Sequence, residues 1–218
     1  MIIAAVSVPT LAAVVLTHTS SGRALLGLGG CPWGGAPPSA EKLEDSRVKS
    51  AAPLKTTVRA AARPAFGFVL DKSTRAELTA WGASVGATCK EELRGAALRC
   101  EASAENEGRP IAAEGGIPIR DAFFRFDPRG VLVGVDLMRD GTDGVKAASA
   151  LTAISERIAR DAGPPTTVQG TASPAHLSGY LNRAATEFRF ADYAADVSAT
   201  NLGPQGVVVR EQYRSIPN

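Results

Sequence analysis

Three cysteines and one glycine-flanked serine are the residues of this sequence whose spacing best suits chemistry. Cys31 follows Leu28-Gly29-Gly30. A leucine and two small residues before a cysteine form the pattern of a bacterial lipobox. Small side chains let a peptidase reach the backbone there, and the thiol is the nucleophile that accepts diacylglycerol. Acyl chains then hold a protein at a membrane surface, each buried CH₂ contributing about 0.8 kcal/mol. Lipidation is therefore expected at Cys31. Cys89 and Cys100 lie close together further on. A helix end and the adjoining strand can bring two Cα atoms within the ~5.5 Å that a disulfide needs. An exported protein meets oxidising conditions, so these two are expected to be bridged. Closing a loop of about 12 residues contributes about 3 kcal/mol in the chain-entropy model. The pair lacks C-x-x-C spacing, which argues against redox catalysis.

Gly82-Ala83-Ser84-Val85-Gly86 matches G-x-S-x-G. That motif presents a nucleophile only when a strand precedes it and a helix follows. Here a capped helix comes before Ser84 and the cysteine segment after. His176 is the sole downstream histidine, Asp121, Asp127 or Asp136 could formally complete a triad, and no HGGG-like loop is present. A surface serine near a helix end is the expectation, with serine hydrolysis the least favoured alternative. No metal site is expected: His18 falls in the N-terminal segment, and His176 stands alone. Asp136, Asp140 and Asp143 miss EF-hand spacing. Glu105 and Glu107 read as a polar loop. GLGG at 27–30 precedes a cysteine rather than a helix with Lys-Ser/Thr, so it is no phosphate loop. No cofactor is expected. The formal charge of +2 and the interspersed 21% of charged residues give nucleic acid no basic face to bind.

These residues fall in three segments. Residues 1–30 read as a signal peptide or membrane-targeting segment. Met1 to Leu16 carry no charge and Pro9 interrupts them; a second apolar run follows Arg23. About 16 residues are short of the ~20 a spanning helix needs. No Lys or Arg precedes the first run, a departure from the usual signal n-region. Residues 31–64, Pro- and Gly-rich and then charged, lack apolar periodicity and read as a disordered tether. A Pro-punctuated arm lying on the domain is the alternative.

Residues 65–218 carry the folding signals. Phe66–Leu70 suggests a first strand. Thr74 and Glu77 have capping-box spacing before a helix bearing Leu78, Trp81 and Val85, which Gly86 ends. Ala96 to Ala102 alternates as a strand. Ala122–Phe126 and Val131–Leu137 flank Asp127-Pro128-Arg129-Gly130 as a hairpin, with Val131, Val133, Val135 and Leu137 on one face. Thr142 or Asp143 caps a long helix, Val145–Ala162, whose stripe is Val145, Ala148, Leu151, Ile154 and Ile158; Gly163-Pro164-Pro165 stops it. A short helix after Ser173-Pro174 and strands at 187–190, 193–200 and 207–213 complete the chain. The fold class is therefore α+β: an antiparallel sheet with two main helices on one face, built as two α-then-β units, 65–140 and 141–218. Phe123, Arg189 and Arg210 alternate outward, as a protein-binding patch would.

The Asp71-Lys72-Ser73-Thr74 start before a Gly-ended helix, and the hairpin FRFDPRGVLVGVDL from Phe124, resemble the SmpA/OmlA (BamE-like) lipoproteins and the related β-lactamase-inhibitor-protein fold. The second unit is similar to a repeat of that module, and the resemblance covers about 65–218. The polar insert from Ala102 to Pro118 departs from it. The resemblance implies an envelope protein that works through protein contacts. The expected function is thus a non-catalytic envelope lipoprotein, anchored to a membrane through Cys31, facing periplasm or exterior and binding a protein partner. An enzyme inhibitor of the same compartment, or a small-ligand carrier with an apolar cavity between helices and sheet, are the alternatives.

Overall fold

The computed structural model describes residues 39–102, 116–139 and 141–217. Cys31, Asp140, Glu105, Glu107 and the leader lie outside them. Alternating apolar residues dictate the main architecture: an eight-stranded antiparallel sheet in the order β3-β4-β5-β6-β10-β9-β8-β7. Its strands are β3 (Ala87–Glu92), β4 (Ala97–Ala102), β5 (Ile119–Phe126), β6 (Leu132–Arg139), β7 (Thr167–Gln169), β8 (Arg183–Arg189), β9 (Tyr193–Asn201) and β10 (Val207–Ser215). The order is palindromic. A helix, Arg75–Ser84, precedes β3–β6, and a second, Gly144–Ala162, precedes β7–β10. The two arrays meet where β6 pairs with β10.

Both helices pack on one face, in one apolar core. Leu78 on one side and Leu151, Ile154 and Ile158 on the other join Phe124, Leu137, Val197 and Tyr213. The capping box forms as its spacing predicts: Glu77 N donates to Thr74 Oγ1 and Thr74 N to Glu77 Oε2 at 2.7 Å. Asp143, rather than Thr142, caps the long helix, accepting from Val145 N and Lys146 N at 2.9 Å. Those amides, Lys146's first, hold its carboxyl below the usual range.

Several expectations are corrected. Residues 39–64 are no disordered tether. We label as α1 the helix Ala40–Ala51, capped by Ser39, with α2 (Arg75–Ser84), α3 (Gly144–Ala162) and α4 (Pro174–Leu177) following. Ala51 is buried against Ala194 and Ile216. Strand alternation places Ala194 opposite Tyr193 and Ala195, so α1 lies across one end of the face that α2 and α3 leave uncovered. The chain then wraps the sheet end, with Thr56 N donating to Phe190 O and Ala61 N to Ala162 O. Edge carbonyls, and not an apolar stripe, anchor it, which is why periodicity missed it. The expected first strand is a two-residue hairpin, β1 (Pro64–Ala65) with β2 (Phe68–Val69), turned at Phe66 and Gly67 and separate from the main sheet.

The hairpin register also differs. Arg125 pairs with Gly134 but Phe126 with Leu132, so Val133 is an extra residue at a bulge. Leu132 therefore enters the core in place of Val133. Val145 is not on the buried stripe; it is 64% exposed, and Ala147 faces inward instead. β7 was not anticipated, because all three of its residues are exposed.

Candidate binding face

The cysteines come first, because they shape the sheet edge. Cys89 does not follow the helix in a loop; it sits on β3, directly opposite Cys100 on β4. The two are bonded, with S–S 2.04 Å. Helix α2 crosses this bridge so closely that a Cβ on Gly82 would lie 2.4 Å from Cys89 Sγ. Gly86, at φ +69°, ends the helix. Both glycines of G-x-S-x-G thus have packing and capping roles. Ser84 Oγ donates to Trp81 O at 2.7 Å within its own helix. His176, on α4 in the other half, has Nε2 3.2 Å from Arg183 O. The two do not engage one another.

The expected acidic groups disperse likewise. Asp136 faces outward on β6, Asp143 caps α3, and Asp127 closes the β5–β6 turn. Among the described residues no group of three or more His, Cys, Asp or Glu is placed to hold a metal. Asp127 is 8% exposed. Burial pushes its carboxyl up, but the Val131 and Arg129 amides and the Arg129 guanidinium together outweigh this and hold it below the usual range.

What the strands do assemble is an outer sheet face. Alternation puts Arg99, Asp121, Phe123, Arg125, Asp136, Met138, Arg210 and Gln212 on it, opposite the core. Most of its charges are paired, chiefly across strands. Arg99 Nε donates to Asp121 Oδ1 at 3.1 Å. Arg210 Nε donates to Asp136 Oδ1 at 2.9 Å and Gln212 Nε2 to Oδ2 at 2.9 Å. Arg189 Nη2 meets both Glu187, at 3.1 Å, and Asp196. The hydrogen bonds that Arg99 and Arg210 donate to Asp121 and Asp136 raise both above their ordinary value. Arg125 lies 5.3 Å over the half-buried Phe123 ring. A cavity of about 310 Å³ opens between β8, β9 and β10, among Arg183, Asp196, Ser198, Val208 and Arg210. Phe123, Arg189 and Arg210 take the outward positions expected of them. Such an arrangement offers fixed donors and acceptors around an aromatic ring, which suits recognition of a macromolecular surface.

Sequence reasoning missed a second ionic group, on the core side. Arg139 and Glu211 are both 0% exposed and joined by Arg139 Nε donating to Oε1 at 2.7 Å. Arg139 Nη1 donates to Ile117 O at 2.8 Å, Tyr213 Oη to Glu211 Oε2 at 2.5 Å, and Arg157 Nη2 to Tyr213 Oη at 3.1 Å. The clue was parity: Glu211 sits between inward Val209 and Tyr213, and Arg139 follows inward Leu137. Compared with protein-family models, curated proteins and solved structures, the chain matches none. Fold and face together define the class: an α+β protein with one helix-packed sheet face and a second face that, among the described residues, only α1 crosses, at one end.

Proposed function

We propose that this chain is a non-catalytic envelope lipoprotein, tethered to a membrane at Cys31, whose outer sheet face binds a partner protein. The carrying observation is that face. Away from α1's end, no described helix covers it, and two cross-strand pairs, Arg99 with Asp121 and Arg210 with Asp136, flank Phe123, with Arg125 over its ring. Preorganised polar groups cost little further ordering on association, and a partly exposed aromatic flanked by arginine is the composition of interface hot spots. Gly82 is accounted for by the helix–disulfide contact and Gly86 by the helix end, so the G-x-S-x-G spacing has a structural reading that favours a non-catalytic role.

The test is crosslinking and capture from solubilised envelope, comparing the native chain with Phe123→Ala/Arg210→Glu. One protein enriched with the native chain and lost with the variant supports the reading. Equal recovery with both, or none over a leader-only control, sinks the binding face. Mass spectrometry of membrane-extracted protein addresses the anchor separately: an unmodified Cys31 removes it.

A further inference from the structure

Where α1 crosses the sheet end it roofs a groove of about 510 Å³, within the range of small-molecule sites. Its lining is amphipathic. Leu43 and Leu93 supply most of the apolar surface; Val133, turned from the core by the β-bulge, and Phe126, with Arg75 5.1 Å over its ring, form the nearly fully buried floor. The charged lining comprises five arginines, Arg47, Arg75, Arg94, Arg125 and Arg214, against two carboxylates, Glu44 and Asp127.

Glu44 offsets only Arg47, and Asp127 is engaged by Arg129 outside the lining. Glu44 accepts from Arg47 Nε at 2.8 Å. Asp127 accepts from the Arg129 and Val131 amides, each at 2.9 Å, and from the Arg129 side chain. Arg94, Arg125 and Arg214 make no salt bridge with any described residue. Arg75 reaches Glu91 through Nη1 at 3.3 Å, yet its Nε is buried with no acceptor among the described residues. A buried donor left without an acceptor is costly, and a ligand oxyanion would relieve it. The turn supplying Arg94 adds strain, since Leu93 and Arg94 are both left-handed, at φ 53° and 57°, and Leu93 is 37% exposed and recovers little by burial. Such strain concentrates at ligand clamps.

We infer that this groove is a binding site for a small amphipathic oxyanion, a carboxylate or phosphate monoester with an apolar body. Planar guanidinium forks match both headgroups, and Leu43 and Leu93 would cover the body above the floor of Phe126 and Val133. The roof formed by α1 favours a soluble, monomeric ligand over a bilayer surface. The site is separate from the protein-binding face proposed above, although Arg125 borders both, and it does not depend on Cys31.

The probes are octyl phosphate and octanoate below their micelle concentrations, with octanol, octyltrimethylammonium and inorganic phosphate as controls, titrated calorimetrically into the folded chain. The two octyl anions should bind, the neutral and cationic octyl compounds should not, and inorganic phosphate should bind more weakly for want of a body. The Arg75 Nε–H resonance should shift on saturation. Arg94→Asn/Arg214→Ser should weaken the octyl anions by about tenfold or more while leaving thermal stability unchanged. Asn tolerates the left-handed turn, and Arg94→Asn alone, at an exposed position, serves as a second variant should the double one misfold. Equal binding of octanol or the cation, or undiminished anion binding by the variants, overturns the inference.

Discussion

Replacing Arg139 by Met removes one side of an ion pair whose two members are both 0% exposed. It leaves the Glu211 carboxylate in the core with Tyr213 Oη at 2.5 Å and Arg157 3.6 Å from Oε2. Breaking a buried pair costs about 3–5 kcal/mol, here toward the lower end because Arg157 and the Tyr213 hydroxyl still face the carboxylate. That is a large part of the ~5–15 kcal/mol a domain commands. The Ile117 carbonyl also loses its donor. Glu211→Leu should cost a similar amount by stranding Arg139. The double variant Arg139→Met/Glu211→Leu carries no buried charge from the pair. It still leaves the Tyr213 hydroxyl proton without its acceptor, at about 1–3 kcal/mol. The double variant should therefore cost less than either single, about 1–3 kcal/mol against about 6–10 kcal/mol for the sum of the two. Urea unfolding with the disulfide intact, at equal m-values, measures all three. Arg139→Met within about 1 kcal/mol of the parent, with no rescue in the double, would refute the reasoning: the pair would then be solvated in solution.

Three further outcomes are expected. Gly82→Ala should destabilise by about 1–3 kcal/mol, because its Cβ would lie 2.4 Å from Cys89 Sγ; in a Cys89→Ala/Cys100→Ala background the same change should become neutral or stabilising, and an unaltered penalty there counts against the clash. Asp127→Asn should cost about 1–2 kcal/mol near neutral pH and flatten the acid limb. Its folded pKa is depressed, so its contribution is present above the ordinary carboxylate range and lost as pH falls through the lower folded value; an unchanged acid limb in urea series refutes this. Burial first, and then Glu211, raise the Tyr213 hydroxyl well above its ordinary value. Its stabilisation is complete below about pH 10 and declines as pH rises beyond it, so Tyr213→Phe should flatten the alkaline limb; Tyr193, raised by burial too, retains part of the slope.

Alternation and capping chemistry were legible because they are local. Thr74 with Glu77, Asp143 before the long helix, and the outward Phe123 and Arg210 all follow from spacing alone. The cysteine pairing was legible from composition, but its geometry was not: β3 alternates only weakly, so Cys89 read as loop. The arm from Ser39 to Arg63 was legible only as the alternative to a tether, for another reason. It is held largely by scattered main-chain hydrogen bonds and single side chains, such as Asp192 accepting from Ala60 N, which leave no periodic residue pattern. Val133 was misplaced because a bulge shifts parity, and neither Gly130 nor the valine run announces one. The arginine groove joins α1, the β3–β4 turn and the ends of β5, β6 and β10, which no single window of sequence brings together.

The seam between β6 and β10 joins the two halves of the sheet, and it carries an ionic pair on each face. Asp136 with Arg210 and Gln212 spans it outside; Arg139 with Glu211 spans it inside. The outer pair is partly solvated and holds the sheet only weakly. The inner pair acts through register. Slipping β10 by one residue would turn Arg210 and Gln212 into the core, move Glu211 to the outer face and strand Arg139. Val207, Val209 and Tyr213 would leave the core in the same step. The buried pair thus selects one alignment of two otherwise similar four-stranded arrays, and with it the outer arrangement of Asp136, Arg210 and Gln212 that the binding face requires. It follows that Arg139→Met/Glu211→Leu, though folded, should show faster amide exchange along β6 and β10 than along β8 and β9. Uniform exchange across the four strands would mean that side-chain packing alone fixes the register.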